Sequence, residues 1–286
     1  MAEWDGKTKG SLFGYKFFVA CIRVAGVRPA YLFARFISFW YYLFAGRQRR
    51  ALKRFYKEGM QKSSFQAFTL SLSTFFRFAQ TLIDRVAFTT HRRKFFTYDF
   101  DNEIVLRRMV EQNTGGILLS AHLGNWENAG RLIHERITTK INVVMLDEEV
   151  EKVKAFLESQ DNAGKFAIIA VKNDMSHLIK MHTALRNNEF VAIHADRVMD
   201  GKFIELPFLA KRAKFPAGPF VLAKMFKAPV TFVYAVKSSA SHYQLSATDP
   251  VIASSDAELA ESYAAYLEQM VKRWPDQWFN FYNYLC

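Results

Sequence analysis

Apolar positions along this chain follow two rhythms, and the change falls near residue 100. Before it, large apolar residues recur at three-to-four spacing. From Ser63 to Phe88, Phe65, Phe68, Leu72, Phe75, Phe76, Ala79, Leu82 and Ile83 form such a stripe, which predicts a helix with that stripe in the core. After residue 100, short apolar runs alternate with helical patterns. Strands are expected at Ile117–Ala121, Ile141–Leu146, Phe166–Val171, Phe190–Ala195, Val230–Val236 and Tyr243–Ala247. Helices are expected at Ile104–Gln112, Asn125–Glu135, Glu148–Gln160, Met175–Asn187, Gly218–Phe226 and Asp256–Arg273. This alternation predicts an α/β fold with a central mixed sheet flanked by helices. It divides the chain into a helical extension over 1–100 and an α/β domain over 101–286.

Charge refines the picture of the extension. The stretch "FISFWYYLFAG" has no charged residue, but it is only 11 residues long, from Phe36 to Gly46. A membrane-spanning helix needs ~20 apolar residues, and Arg35 and Arg47 bound this one on either side. "RQRRALKRFYK" follows at once, so an interfacial helix is expected, with Phe36, Phe39, Trp40, Leu43 and Phe44 toward acyl chains and Arg47 to Lys57 toward lipid phosphates. A buried helix beside a solvated basic face fits the same pattern. The net charge is 39 − 27 = +12, which calls for an anionic partner: membrane lipid, nucleic acid or an acidic protein. No nucleic-acid motif accompanies the basic residues, so nucleic acid is set aside. A secretory leader reads poorly, because Glu3 and Asp5 stand where basic residues belong. Cys21 and Cys286 form no metal-like cluster and suit a reducing compartment.

The chemistry concentrates in "GGILLSAHLGNWENAG", Gly115 to Gly130. "GILLSA" reads as a buried strand, and Asn125 is a favoured residue for starting a helix. His122 then stands at a strand end and Glu127 in the first turn of the following helix. Gly124 supplies the backbone freedom that lets side chains five positions apart converge. Strand carboxyl ends are where open α/β sheets bind ligands. There a histidine can take a proton from a hydroxyl while a carboxylate holds its tautomer. Ser120 lies on the same side of the strand as His122, one pleat deeper, and no nucleophile is evident in the motif itself. Spacing alone leaves a purely structural His-x-x-x-x-Glu open as well.

His122-Leu-Gly-Asn-Trp-Glu127 resembles the H-x-x-x-x-(D/E) signature of the lysophospholipid acyltransferase superfamily, in the form found in bacterial late acyltransferases of lipid A biosynthesis. "IHADR", His194 to Arg197, resembles the family's second block. "LPFLAKRAKFPAGPFVLAKMFKAPV" and "PDQWFNFY" resemble its later ones, in the same order. The resemblance implies that His122 is a general base and Glu127 its orienting partner. It also implies that Asp196 and Arg197, with Asn125, shape a substrate site. Arg197 by itself is either a phosphate or oxyanion contact or half of an ordinary ion pair. The reaction implied is transfer of an acyl chain from acyl carrier protein or coenzyme A to a hydroxyl of a glycolipid, a lipid A precursor or a polyene pigment. It would take place at the cytoplasmic face of the bacterial inner membrane, with no metal or other cofactor. The extension departs from the family, whose N-terminal anchor is here broken by arginines. A thioesterase and a non-enzymatic lipid-binding protein are the alternatives. His134, His177, His182 and His242 have no carboxylate at ligand spacing and read as structural or solvated, and His194 is at most an outer neighbour of the site.

Overall fold

A computed structural model describes residues 19–88, 90–146, 166–172, 174–198 and 201–286, without the side chains of Glu127, His134 and Leu146. The helix expected at 148–160 lies outside the described residues. The extension folds into α1 (Val27–Phe44), α2 (Gly46–Arg54) and α3 (Ser64–Phe88). After it come β1 (Thr97–Asp101), α4 (Glu103–Glu111), β2 (Gly116–Ser120), α5 (Trp126–Arg136), β3 (Ile141–Leu146), β4 (Phe166–Val171), α6 (Ser176–Arg186) and β5 (Phe190–His194). The hairpin β6 (Phe203–Phe208) and β7 (Lys211–Pro216) leads into α7 (Gly218–Phe226), β8 (Pro229–Lys237), β9 (His242–Ala247), β10 (Val251–Ile252) and α8 (Asp256–Arg273).

The main sheet runs β1-β9-β8-β2-β5-β3-β4, with β10 also paired to β8. The strands from β8 to β4 are parallel to one another, whereas β9 is antiparallel to β8 and β1 parallel to β9. The sheet is therefore mixed, as expected. Helices cover both faces, and the pleat assigns residues between them. Ile117, Leu119, Ala121 and Leu123 pack into one core with α6, α7 and α8 residues, while Leu118 joins the core of the opposite face with α4 and α5. A strand buried on both sides reads as an unbroken apolar run, which is why "GILLSA" was recognisable.

Four strands were not expected from the pattern. β1, "TYDFD", is a half-exposed edge strand. β6 and β7 interleave charges and carry Pro207 and Pro216, which suits a small two-stranded sheet beside the main one. β10 has only two residues.

The extension also corrects one expectation. Along α3, Phe75 and Ile83 are buried, but Phe65 is 74% exposed, and Phe68, Phe78 and Leu82 are exposed too. The apolar stripe is wider than the buried face. α1 packs along α3, and its Leu32, Phe36, Trp40 and Phe44 are likewise open. Both helices thus leave large apolar and aromatic side chains open to solvent, and Arg47, Arg49, Arg50, Lys53 and Arg54 follow on α2. Among the described residues no helix is long and apolar enough to cross a membrane. The inner side of the same layer joins Val27, Ala30, Tyr31, Ala34, Ile83 and Val86 to Phe96, Tyr243 and Leu245 in one core.

Candidate active site

β2 ends at Ser120, and the chain turns through Ala121–Gly124 into α5 at Trp126. Gly124 is required for that turn. Its φ is +73°, and a Cβ there would meet the Ala235 carbonyl oxygen at 2.0 Å. The same approach lets Ala235 accept the Asn125 backbone N–H at 2.8 Å. The C-terminal segment braces the turn from outside: Gly124 N–H donates to the Gln277 carbonyl at 2.8 Å, and Phe279 N–H donates to the His122 carbonyl at 2.9 Å. Asn125 is buried. Its Oδ1 accepts the Asn128 N–H at 3.3 Å, capping α5, and its Nδ2 donates to the Tyr243 hydroxyl at 3.1 Å.

β5 runs beside β2 with Ser120 opposite His194, so the next residues of both strands meet at the same end of the sheet. Asp196 reaches across to His122. Its Oδ1 lies 2.8 Å from His122 Nδ1, and its Oδ2 accepts the His122 backbone N–H at 2.9 Å and the Trp278 indole N–H at 3.0 Å. Asp196 is 1% exposed. Burial opposes its ionisation, but His122, with its hydrogen bond, and then Arg197 and His194 outweigh that and hold the carboxyl well below its usual range. An ionised carboxylate can only accept, so Nδ1 carries a proton, and in the neutral ring the lone pair lies on Nε2. The His122 side chain keeps 22% of its surface open. Asp196, expected to shape a substrate site, thus has both oxygens engaged around His122. Arg197 donates to the Phe279 carbonyl at 3.0 Å. Glu127 falls in the first turn of α5, as expected, and its side chain is outside the described residues.

Several neighbours were not expected. The His194 ring sits 4.5 Å from the His122 ring and 4.9 Å from Trp126. Burial first, and His122 second, push the His194 pKa down to about 3, so it stays neutral beside the His122 imidazole. The two-residue period of a strand puts residues 194 and 196 on one side, and that signal would have found it. Trp278 and Phe279 lie in the "PDQWFNFY" block, but spacing could not show which of its residues reach the site. His242, read as partnerless, meets Asp99 at 3.4 Å and Thr97 at 2.8 Å across the β1–β9 pair, a contact remote in sequence.

His122, His194 and Asp196 also have ligand atoms within 4.8 Å of one another. Asp196 already accepts three N–H groups, one of them from His122 Nδ1, so this cluster is a hydrogen-bonded acid–base unit in which a metal would have to displace that bond.

A mixed α/β sheet with a histidine–carboxylate unit at its strand ends has the parts for acid–base chemistry on a substrate that brings its own nucleophile. Sequence comparison narrows the class. The family model described as bacterial lipid A biosynthesis acyltransferase matches residues 56–285, and the chain belongs to that family. The family's activity is acyl transfer, and its members are membrane-associated in bacteria. No curated protein matches the chain in sequence.

Proposed function

We propose that this acyltransferase moves a fatty acyl group from an acyl thioester, on acyl carrier protein or coenzyme A, to a hydroxyl of an amphipathic acceptor such as a glycolipid. The observation that carries the reading is His122, at the end of β2, with its Nδ1–H directed to the buried carboxylate of Asp196. Nε2 takes the proton of the acceptor hydroxyl as its oxygen attacks the thioester carbonyl. The C–S bond of the tetrahedral intermediate then breaks, and the imidazolium returns the proton to the departing thiolate. Asp196 stabilises that imidazolium, and Glu127 supplies the second carboxylate of the pair. Arg197 meets the developing oxyanion or a phosphate of the donor. Asn125 contributes through the turn it caps.

The site of action in this proposal is the cytoplasmic face of the bacterial inner membrane, with the chain held peripherally. Support comes from the open aromatic side chains of α1 and α3 and the basic run of α2, which together match an anionic lipid surface. Phe78, one of those side chains, makes edge contacts with Phe279 at 5.3 Å and Phe281 at 5.4 Å. Phe279 in turn donates its backbone N–H to the His122 carbonyl, so Phe78 is one ring contact from the segment that braces the base.

The test offers pure protein acyl carrier protein and coenzyme A thioesters with an extracted bacterial lipid mixture, and reads products by mass spectrometry. An acylated lipid together with free carrier thiol is expected. Free fatty acid alone would make the protein a thioesterase, and untouched thioester a lipid-binding protein. In flotation, binding to anionic vesicles should weaken as salt rises, because exposed charge contacts are screened over ~8–10 Å. Association that survives high salt and alkaline carbonate would overturn the peripheral reading.

A further inference from the structure

Behind the catalytic turn lies a charged pair that the proposed chemistry does not use. Asp84 of α3 and Lys237 at the end of β8 are 0% and 2% exposed, with Nζ 2.6 Å from Oδ2. Tyr31 of α1 donates its hydroxyl to Asp84 Oδ1, and Tyr243 of β9 donates to Oδ2. Lys237 Nζ also lies over the rings of Tyr243 and Phe96, at 4.5 and 4.8 Å. Two routes lead from this pair to the residues directly after His122-Leu123. Through side chains, Tyr243 receives the Asn125 amide at 3.1 Å, and Asn125 caps α5. Through the backbone, Lys237 N–H donates to Gln277 Oε1 at 2.8 Å and Gln277 Nε2 donates back to the Lys237 carbonyl at 2.9 Å. The Gln277 carbonyl then accepts Gly124 N–H at 2.8 Å. Both routes are short, buried and closed.

We infer that Tyr243 is a positioning residue for the reaction: its hydroxyl, anchored by the Asp84–Lys237 pair, fixes Asn125 and with it the turn that holds His122 at one end and starts α5, with Glu127, at the other. The kinetic part of this inference rests on the acyl-transfer reading of His122. Three single variants test it. Tyr243→Phe removes the bridging hydroxyl. Asn125→Ser keeps a good helix cap but loses the amide that reaches Tyr243. Tyr31→Phe removes the other hydroxyl from the same carboxylate without touching Asn125. For each, kcat and KM are measured, and in protein labelled at histidine the His122 nitrogen shifts are read, which report the Nδ1–H tautomer without any substrate. Tyr243→Phe and Asn125→Ser should each lower kcat about tenfold or more with KM little changed, as loss of orientation does. The two His122 nitrogen shifts should move toward each other in both variants, and the double variant should be no worse than either single. Tyr31→Phe should keep the wild-type shifts and kcat. The inference is overturned if Tyr243→Phe keeps wild-type kcat and shifts, if the loss in Asn125→Ser appears in KM alone, or if Tyr31→Phe matches Tyr243→Phe. Should the wild type transfer no acyl group, the catalytic reading falls by itself and the nitrogen shifts alone decide the positioning.

Discussion

Asp196 and Asp84 are both almost wholly shut off from water, at 1% and 0% exposure, yet their carboxyls are driven in opposite directions. Asp84 is raised: burial dominates, and Lys237, Tyr243 and Tyr31 only partly offset it. Asp196 is lowered: burial again opposes ionisation, but His122, with its hydrogen bond, and the Arg197 guanidinium prevail. Both receive three side-chain or backbone donors, so counting hydrogen bonds does not separate them. Asp84 has hydroxyls and a lysine whose own ammonium form is disfavoured by the same burial. Asp196 sits just past the end of an interior strand, against N–H groups and a histidine that is partly open to water. Burial therefore does not decide what a carboxylate does. The Asp196 carboxyl is held ionised against His122, whereas Asp84 pairs with Lys237 where the helical layer meets the sheet.

The largest effect that would test this contrast is on turnover. His122→Ala should lower acyl transfer ~100- to 10,000-fold, the usual cost of losing a general base, with folding retained because the side chain lies at a strand end. Asp196→Asn should approach that loss. Oδ2 accepts two N–H groups and Oδ1 one, so the amide oxygen is held at the pair and the NH2 turns to Nδ1, which disfavours the Nδ1–H tautomer. Single-turnover rates beside circular dichroism would check both. An Asp196→Asn enzyme with wild-type turnover would leave Asp196 as merely another structural acid, like Asp84.

The joint predicts the reverse pattern, a large loss of stability. Lys237→Met leaves Asp84 buried without its cation and should cost about 3–5 kcal/mol in urea unfolding. Replacing both members, Asp84→Leu with Lys237→Met, should recover much of that, since the desolvation penalty disappears with the charges. If the single variant unfolds no more easily than the double, the pair is not an ionic joint.

How much of this was legible in the sequence follows the range of the interactions. The strands at 117–121 and 230–236, the helix starting at Asn125 and the turn at Gly124 are local patterns, and they were readable. His122 could be placed at a strand end for the same reason. The Asp196 carboxylate that meets Nδ1 could not be placed from spacing, because it arrives from beyond β5, 74 positions away. Tyr31, Asp84, Lys237 and Tyr243 were invisible as a group, because four elements must fold before they touch. Phe65, Phe68 and Leu82 of the α3 stripe were misread as core for a different reason. Periodicity reports which residues share a face, not whether protein or membrane covers that face.

His194 gives the smallest test, and it sharpens the comparison at the site itself. The histidine is pushed from its ordinary 6.5 down to about 3, by burial first and by His122 second. An unfolded chain takes up that proton near pH 6.5, but the folded protein refuses it until about 3. Between those values the unfolded state binds more protons, so stability is full above pH 6.5 and declines as pH falls through the window. One such group contributes at most about 1.4 kcal/mol per pH unit. Asp196 works in a separate range. Its lowered pKa stabilises the fold above the ordinary carboxylate value of about 3.9, and that contribution is lost only as pH falls below it. Asp84, raised by burial, adds a slope of its own between pH 4.5 and 6.5 in every variant, so the difference between wild type and a His194 variant isolates the histidine. His194→Gln, which cannot take up a proton, should flatten that limb relative to wild type while leaving the values above pH 7 with a constant offset. Parallel curves across the window would mean that His194 accepts its proton in the fold, and that His122 works beside a cation and not beside a neutral ring.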